Sequence, residues 1–143
     1  MKIDHILIVA DDSRSVKAIG FGFDLAKGLG AKVTVLSVIE DAMSEGNPDA
    51  GIFPDDALTA LKKKTDDFLM QIKKKYGGDV NTEVLTRHGE TLETVIAVIK
   101  SFDIDLVLAE SHARHGISKL FGNTLAESMI RQSPVPVCIV PMH

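Results

Sequence analysis

The sequence predicts an α/β chain: one open, doubly wound sheet of five parallel strands in the order 3-2-1-4-5, with four helices on its two faces. Three observations predict it. Apolar runs of strand length alternate with stretches of helical periodicity along all 143 residues. One of those runs, HILIVA, is continuous rather than alternating, the pattern of a strand covered on both faces. Crossovers between parallel strands are right-handed, and five strands joined through four helices leave few other arrangements. A chain of this length fits a single domain, 1–143, able to bury roughly 68–70% of its unfolded surface.

His5 to Ala10 is the first strand, and Asp11, Asp12 and Ser13 stop it and offer caps for the first helix. Val16, Ile19, Phe23 and Ala26 recur at helical spacing as far as Gly30, a C-cap residue, and Lys32 to Ile39 is the second strand. Residues 40–54 carry Gly46, Asn47, Pro48, Gly51 and Pro54 without periodicity, which reads as a long loop of the kind that serves as a lid. Leu58, Leu61, Phe68, Ile72 and Tyr76 mark a second helix ended by Gly77 and Gly78. Val80 to Leu85 alternates, as an edge strand does; Leu92, Val95, Ile96, Ile99 and Phe102 mark the third helix. Asp105 to Ala109 is the fourth strand, Leu125, Met129 and Ile130 belong to the fourth helix, and Val137 to Val140 is the fifth strand.

Composition excludes several classes. The net charge of −4 disfavours nonspecific binding to nucleic acid or acidic lipid. The lysines of the second helix are interrupted by Asp66 and Asp67 and have no interleaved aromatics, so they read as a solvated face. No apolar run approaches the ~18 residues that span a bilayer. The N-terminus runs directly into a strand with no cleavage site, so no signal peptide is expected. A lone Cys138 in an apolar run reads as a small buried hydrophobe and suits a reducing, cytoplasmic setting. His112 and His115 lack a third partner for zinc, so no metal site is expected.

The stretch from Glu110 to Asn123 lies between the fourth strand and a helix opening at Thr124. A strand running through a loop into a helix places unpaired N–H groups and a positive dipole end where an anion can sit. Open sheets of this kind take ligands at the carboxyl ends of their strands, where strand order reverses. That point falls between strands 1 and 4, which end at Asp11 and Glu110.

The opening Ile6-Leu7-Ile8-Val9-Ala10-Asp11-Asp12-Ser13, the end Leu36-Ser37-Val38-Ile39, the stretch Asp105-Leu106-Val107-Leu108-Ala109-Glu110-Ser111-His112, the pair Ala126-Glu127, and Pro136-Val137-Cys138-Ile139-Val140 together resemble a universal stress protein over the whole chain. The resemblance implies ATP or ADP as ligand, Mg²⁺ accompanying ATP, with Asp11 and Val38 on the ribose and adenine. In the ATP-binding branch a Gly-x2-Gly-x9-Gly-(Ser/Thr) motif wraps the phosphates. Here those positions fall on Glu110, Ala113, Asn123 and Thr124, bordered by Ala109 and Leu125, with His112 and Arg114 in the same loop. Only the hydroxyl position is kept, and a shift of one residue would instead place Gly122 in the third glycine slot.

Where a phosphate loop requires a left-handed residue, a Cβ costs about 1–2 kcal/mol, so Ala113 carries a penalty and Asn123 a smaller one. Glu110 departs further. A carboxylate about 5 Å from a phosphate charge, at an effective dielectric of ~20, repels it by roughly 3 kcal/mol unless the side chain turns away. Arg114, Lys119 and the histidines offer compensating charge. Thr124 and Glu127 also fit a capping box, the commoner role for such a pair.

Three functions therefore stand open. One is a stress-response or regulatory protein with a nucleotide crevice, acting with an unidentified regulatory protein partner. The second is a dimeric interaction module without ATP. The third is a receiver-like signalling domain, disfavoured because the ends of strands 3 and 5 lack the required Asp and Lys. No Ser-His-Asp or Cys-His pattern supports a dedicated enzyme; weak ATP hydrolysis is the most expected. The apolar last strand at the sheet edge, which in this family pairs across a dimer axis, implies a homodimer through Val137 to Val140.

Overall fold

The computed structural model describes residues 1–10, 15–40, 49, 51, 54–111 and 125–141. Five strands, β1 (His5–Val9), β2 (Lys32–Ile39), β3 (Thr82–His88), β4 (Leu106–Ser111) and β5 (Val137–Pro141), alternate with four helices, α1 (Val16–Leu29), α2 (Pro54–Tyr76), α3 (Thr91–Ser101) and α4 (Leu125–Gln132). The strands form one sheet in the order β3-β2-β1-β4-β5, every pairing parallel, as the sequence predicts.

The pleat sends alternate residues to opposite faces. Ile6 and Ile8 of β1, Val33 and Val35 of β2, and Leu106 and Leu108 of β4 pack with Ile19, Phe23 and Ala26 of α1 and Leu69 and Ile72 of α2. Leu7, Val9, Leu36, Val38, Val107 and Ala109 face the other way, onto Val95, Val98 and Ile99 of α3 and Met129 of α4. This double burial explains the continuous apolar run of β1. On the first face, α1 approaches closely because Gly22 has no side chain: a Cβ there would lie 2.5 Å from Ile8 Cδ1. α1 ends as expected at Gly30, left-handed at φ 68°.

Several element bounds differ from the sequence expectation: β1 stops at Val9 rather than Ala10, and β5 runs on to Pro141 rather than ending at Val140. β3 begins at Thr82 rather than Val80, because the Val80 amide turns back to the Gly77 carbonyl (3.3 Å) and Val80 is consumed in the turn. It continues past Leu85 because β2 supplies partners as far as Ile39 opposite His88. β4 extends beyond Ala109, with Glu110 opposite Val140 and Ser111 opposite Pro141 of β5. α2 starts at Pro54, four residues before the first periodic leucine; proline suits a first helical turn, and Asp55 and Asp56 there oppose the dipole. On its outer face Lys62 and Lys63 pair with Asp66 and Asp67, each at 3.7 Å, as a solvated surface should. The expected loop 40–54 lies almost wholly outside the described residues.

At the amino end of the sheet Asp105 locks β1 to β4. Its Oδ2 accepts from the amides of Asp4 (2.8 Å) and His5 (3.0 Å), and its own amide donates to the His5 carbonyl (2.9 Å). The buried His5 ring donates from Nδ1 to the Phe102 carbonyl (2.9 Å) and accepts at Nε2 from Thr34 Oγ1 (2.6 Å). Burial holds its pKa below the usual imidazole value; the Phe102 hydrogen bond opposes this, Lys32 adds to it, and Glu83 and Asp105 oppose it more weakly.

Candidate functional site

Strand order reverses between β1 and β4, because β1 leads through α1 to β2 on one side while β4 lies on its other side and leads to β5. Open parallel sheets receive ligands at the carboxyl ends of the strands beside such a reversal. Hydrogen bonds tie the strand ends there. The Ala10 amide donates to the Leu36 carbonyl (2.8 Å), and Ser37 Oγ donates to the Ala10 carbonyl, so the strand ends of β1 and β2 are tied together.

Among the described residues, Glu110 is the charged side chain at the ends of β1 and β4. By the pleat it follows Leu106 and Leu108 onto the face covered by α1, and it is buried, with 7% exposure. Its Oε1 accepts from the backbone amides of Lys17 (3.2 Å) and Ala18 (3.4 Å). Those are the second and third residues of α1, whose N-terminal groups otherwise lack intrahelical partners. The residue at the start of α1, Ser15, makes no side-chain capping bond, and among the described residues the β4 carboxylate caps these amides; Asp11, Asp12 and Ser13, the caps expected from the sequence, lie outside the described residues. The other oxygen, Oε2, is buried and has no hydrogen-bond partner among the described residues.

Sequence reading placed Glu110 either toward a phosphate or turned away; it is turned onto the start of α1. Val38, Ala109 and Leu125, the other expected site residues within the described part, belong to the opposite, α3/α4 face. Val38 is 6% exposed, so its side chain is core and only its backbone borders the carboxyl edge. Asp11, Asp12, Ser13, His112, Ala113, Arg114, His115, Lys119, Gly122, Asn123 and Thr124 lie outside the described residues.

Two further carboxylates on this edge were not anticipated. Glu90 caps α3, its two oxygens accepting from the amides of Leu92 (3.1 Å) and Glu93 (2.7 Å). Glu40, just after β2, accepts a hydrogen bond from Thr91 Oγ1. The signal for Glu110 was available in the alternation 106, 108, 110; that for Glu90 was obscured because Glu is an uncommon N-cap. The starts of α1 and α3 therefore already hold a carboxylate of the chain itself. Among the described residues no group of three or more His, Cys, Asp or Glu is placed to hold a metal ion, and no helix is long and apolar enough to cross a membrane.

Comparisons with known proteins bear on this arrangement. The model of the universal stress protein family matches residues 2–141. Comparison with curated proteins finds no match. Among solved structures, hypothetical protein MJ0577 superposes with a TM-score of 0.81 at 17% identity, over 99% of this chain and 97% of that one. A universal stress protein in complex with cAMP matches at 0.72 and 12% identity over 100% of both chains. The universal stress protein from Archaeoglobus fulgidus in complex with dAMP matches at 0.63 and 15% identity, over 97% of this chain and 98% of that one. At such identities these likenesses establish the fold.

Proposed function

The chain belongs to the universal stress protein family, and from that premise we propose that it is a stress-response protein whose crevice between the ends of β1 and β4 binds an adenine nucleotide or its nucleoside portion. The observation that carries the reading is the reversal of strand order at β1 and β4, the place where open parallel sheets receive ligands. Two structural neighbours hold cAMP and dAMP, ligands that share adenine and a sugar but differ in their phosphates. On this reading the contacts come from Asp11, the backbone at Val38, Ala109 and Glu110, and the stretch from His112 through Ala113 and Arg114 to Asn123, Thr124 and Leu125. ATP or ADP, with Mg²⁺ when ATP is bound, is the fuller form of the ligand. The role is binding rather than dedicated catalysis, in a single domain.

Titration of the purified protein with adenosine, AMP and Mg·ATP by calorimetry tests this. One site per chain for at least one of the three is expected; heat from none of them at millimolar ligand overturns it and favours the nucleotide-free interaction module.

The same proposal includes a homodimer through β5. Among the described strands β5 pairs only with β4, and Val137, Cys138, Ile139 and Val140 are all half-buried, leaving a short apolar edge of the kind that proteins cover or pair. Light scattering at micromolar concentration should give twice the chain mass, and Ile139→Lys should halve it. A wild-type monomer refutes this part.

A further inference from the structure

Glu110 has one oxygen occupied and one unoccupied, and the difference points to the kind of group it meets. Oε1 serves the amides of Lys17 and Ala18, while Oε2, which is removed from water, accepts nothing from the described residues. A carboxylate oxygen without a donor is costly to bury, so a ligand entering here is favoured if it brings a hydroxyl and disfavoured if it brings a second negative charge. The positive end of α1, which in the absence of a carboxylate would attract a phosphate, is already neutralised from within the chain.

We infer that Glu110 is a specificity residue that accepts a hydrogen bond from a ribose hydroxyl of the ligand and turns phosphates away, so that the crevice prefers adenosine to ATP. This rests on the adenine-ligand reading above and specifies which end of the ligand faces β4. A phosphate charge about 5 Å from the carboxylate loses on the order of 100-fold in affinity at an effective dielectric of ~20. A hydroxyl bonded to the buried carboxylate gains roughly 10-fold or more.

The test compares wild type with Glu110→Gln. The amide oxygen of Gln still accepts from Lys17 and Ala18, so α1 keeps its cap while the charge and the acceptor at the Oε2 position are removed. Adenosine, 2′,3′-dideoxyadenosine and Mg·ATP are titrated against both proteins, and thermal melting checks that the variant is folded. The wild type should bind adenosine about 10-fold or more tighter than Mg·ATP and tighter than the dideoxy compound. In the variant the adenosine advantage over dideoxyadenosine should disappear, and Mg·ATP should gain at least tenfold. A purely structural role for Glu110 would shift all three ligands together, and that result, or a wild type preferring ATP, overturns the inference while leaving the adenine-binding reading intact. If none of the three binds either protein, the adenine-binding reading itself falls. Should Glu110→Gln fail to fold, Glu110→Asp, which keeps the charge but withdraws it by one methylene, should weaken adenosine relative to dideoxyadenosine; an unchanged ratio counts against the inference.

Discussion

Two glycines in α1, two residues apart, should respond in opposite directions to the same substitution. At Gly20 an added Cβ meets nothing within 4 Å among the described residues, whereas at Gly22 it would meet Ile8 Cδ1 at 2.5 Å, Ile8 Cγ1 at 2.8 Å and Leu108 Cδ2 at 3.4 Å. Alanine is favoured over glycine within a helix by about 0.8–1 kcal/mol, and both variants gain that amount. Gly20→Ala should therefore be more stable than wild type by nearly the full propensity gain, which for a chain of this size raises Tm by roughly 3 °C. Gly22→Ala must also move Ile8 by nearly 1 Å to reach ordinary contact. Ile8 and Leu108 are each 0% exposed, in a layer with no room to yield. Overpacking of this kind costs about 1–3 kcal/mol, so the net change at Gly22 is a loss of up to about 2 kcal/mol. Because propensity cancels, the difference between the two variants isolates packing and should be about 1–3 kcal/mol. Urea unfolding of the three proteins measures it, and equal slopes confirm that only stability has changed. If Gly22→Ala proves as stable as Gly20→Ala, the close approach of α1 to β1 and β4 is wrong.

Two other predictions concern the groups that hold the strand and helix ends. Burial lowers the His5 pKa in the folded protein, so folding favours the neutral ring; its contribution is complete above the unfolded value of about 6.5 and is lost as pH falls through that value toward the folded one. Tm of the wild type should accordingly fall more steeply below pH 6.5 than that of His5→Gln, and parallel profiles would refute this. Glu90→Ala removes the side chain that accepts from Leu92 and Glu93, and should cost about 1 kcal/mol by denaturant unfolding, with Glu90→Asp recovering part of it; no loss would show that the cap is dispensable.

Local chemistry was enough to define most of the architecture. The apolar runs of β1 and β2, the helical spacing of Val16, Ile19, Phe23 and Ala26, and the left-handed Gly30 each depend on neighbours within a few positions, and the crossover rule then orders the strands. The limits of β3 and β4 were less legible, because a strand extends as far as its partner supplies hydrogen bonds, and β2 and β5 lie far away in sequence.

Tertiary structure alone decided the orientation of the described site residues. Ala109 and Glu110 are adjacent in the chain yet face opposite layers, and Glu110 finds its partners more than ninety positions earlier, at the start of α1. The sequence by itself determined that an acid would stand at the end of the fourth strand where a glycine is expected. Which helix that acid would cap depends on the pleat of β4 and the layer in which α1 packs, a relation between distant segments that no local pattern encodes.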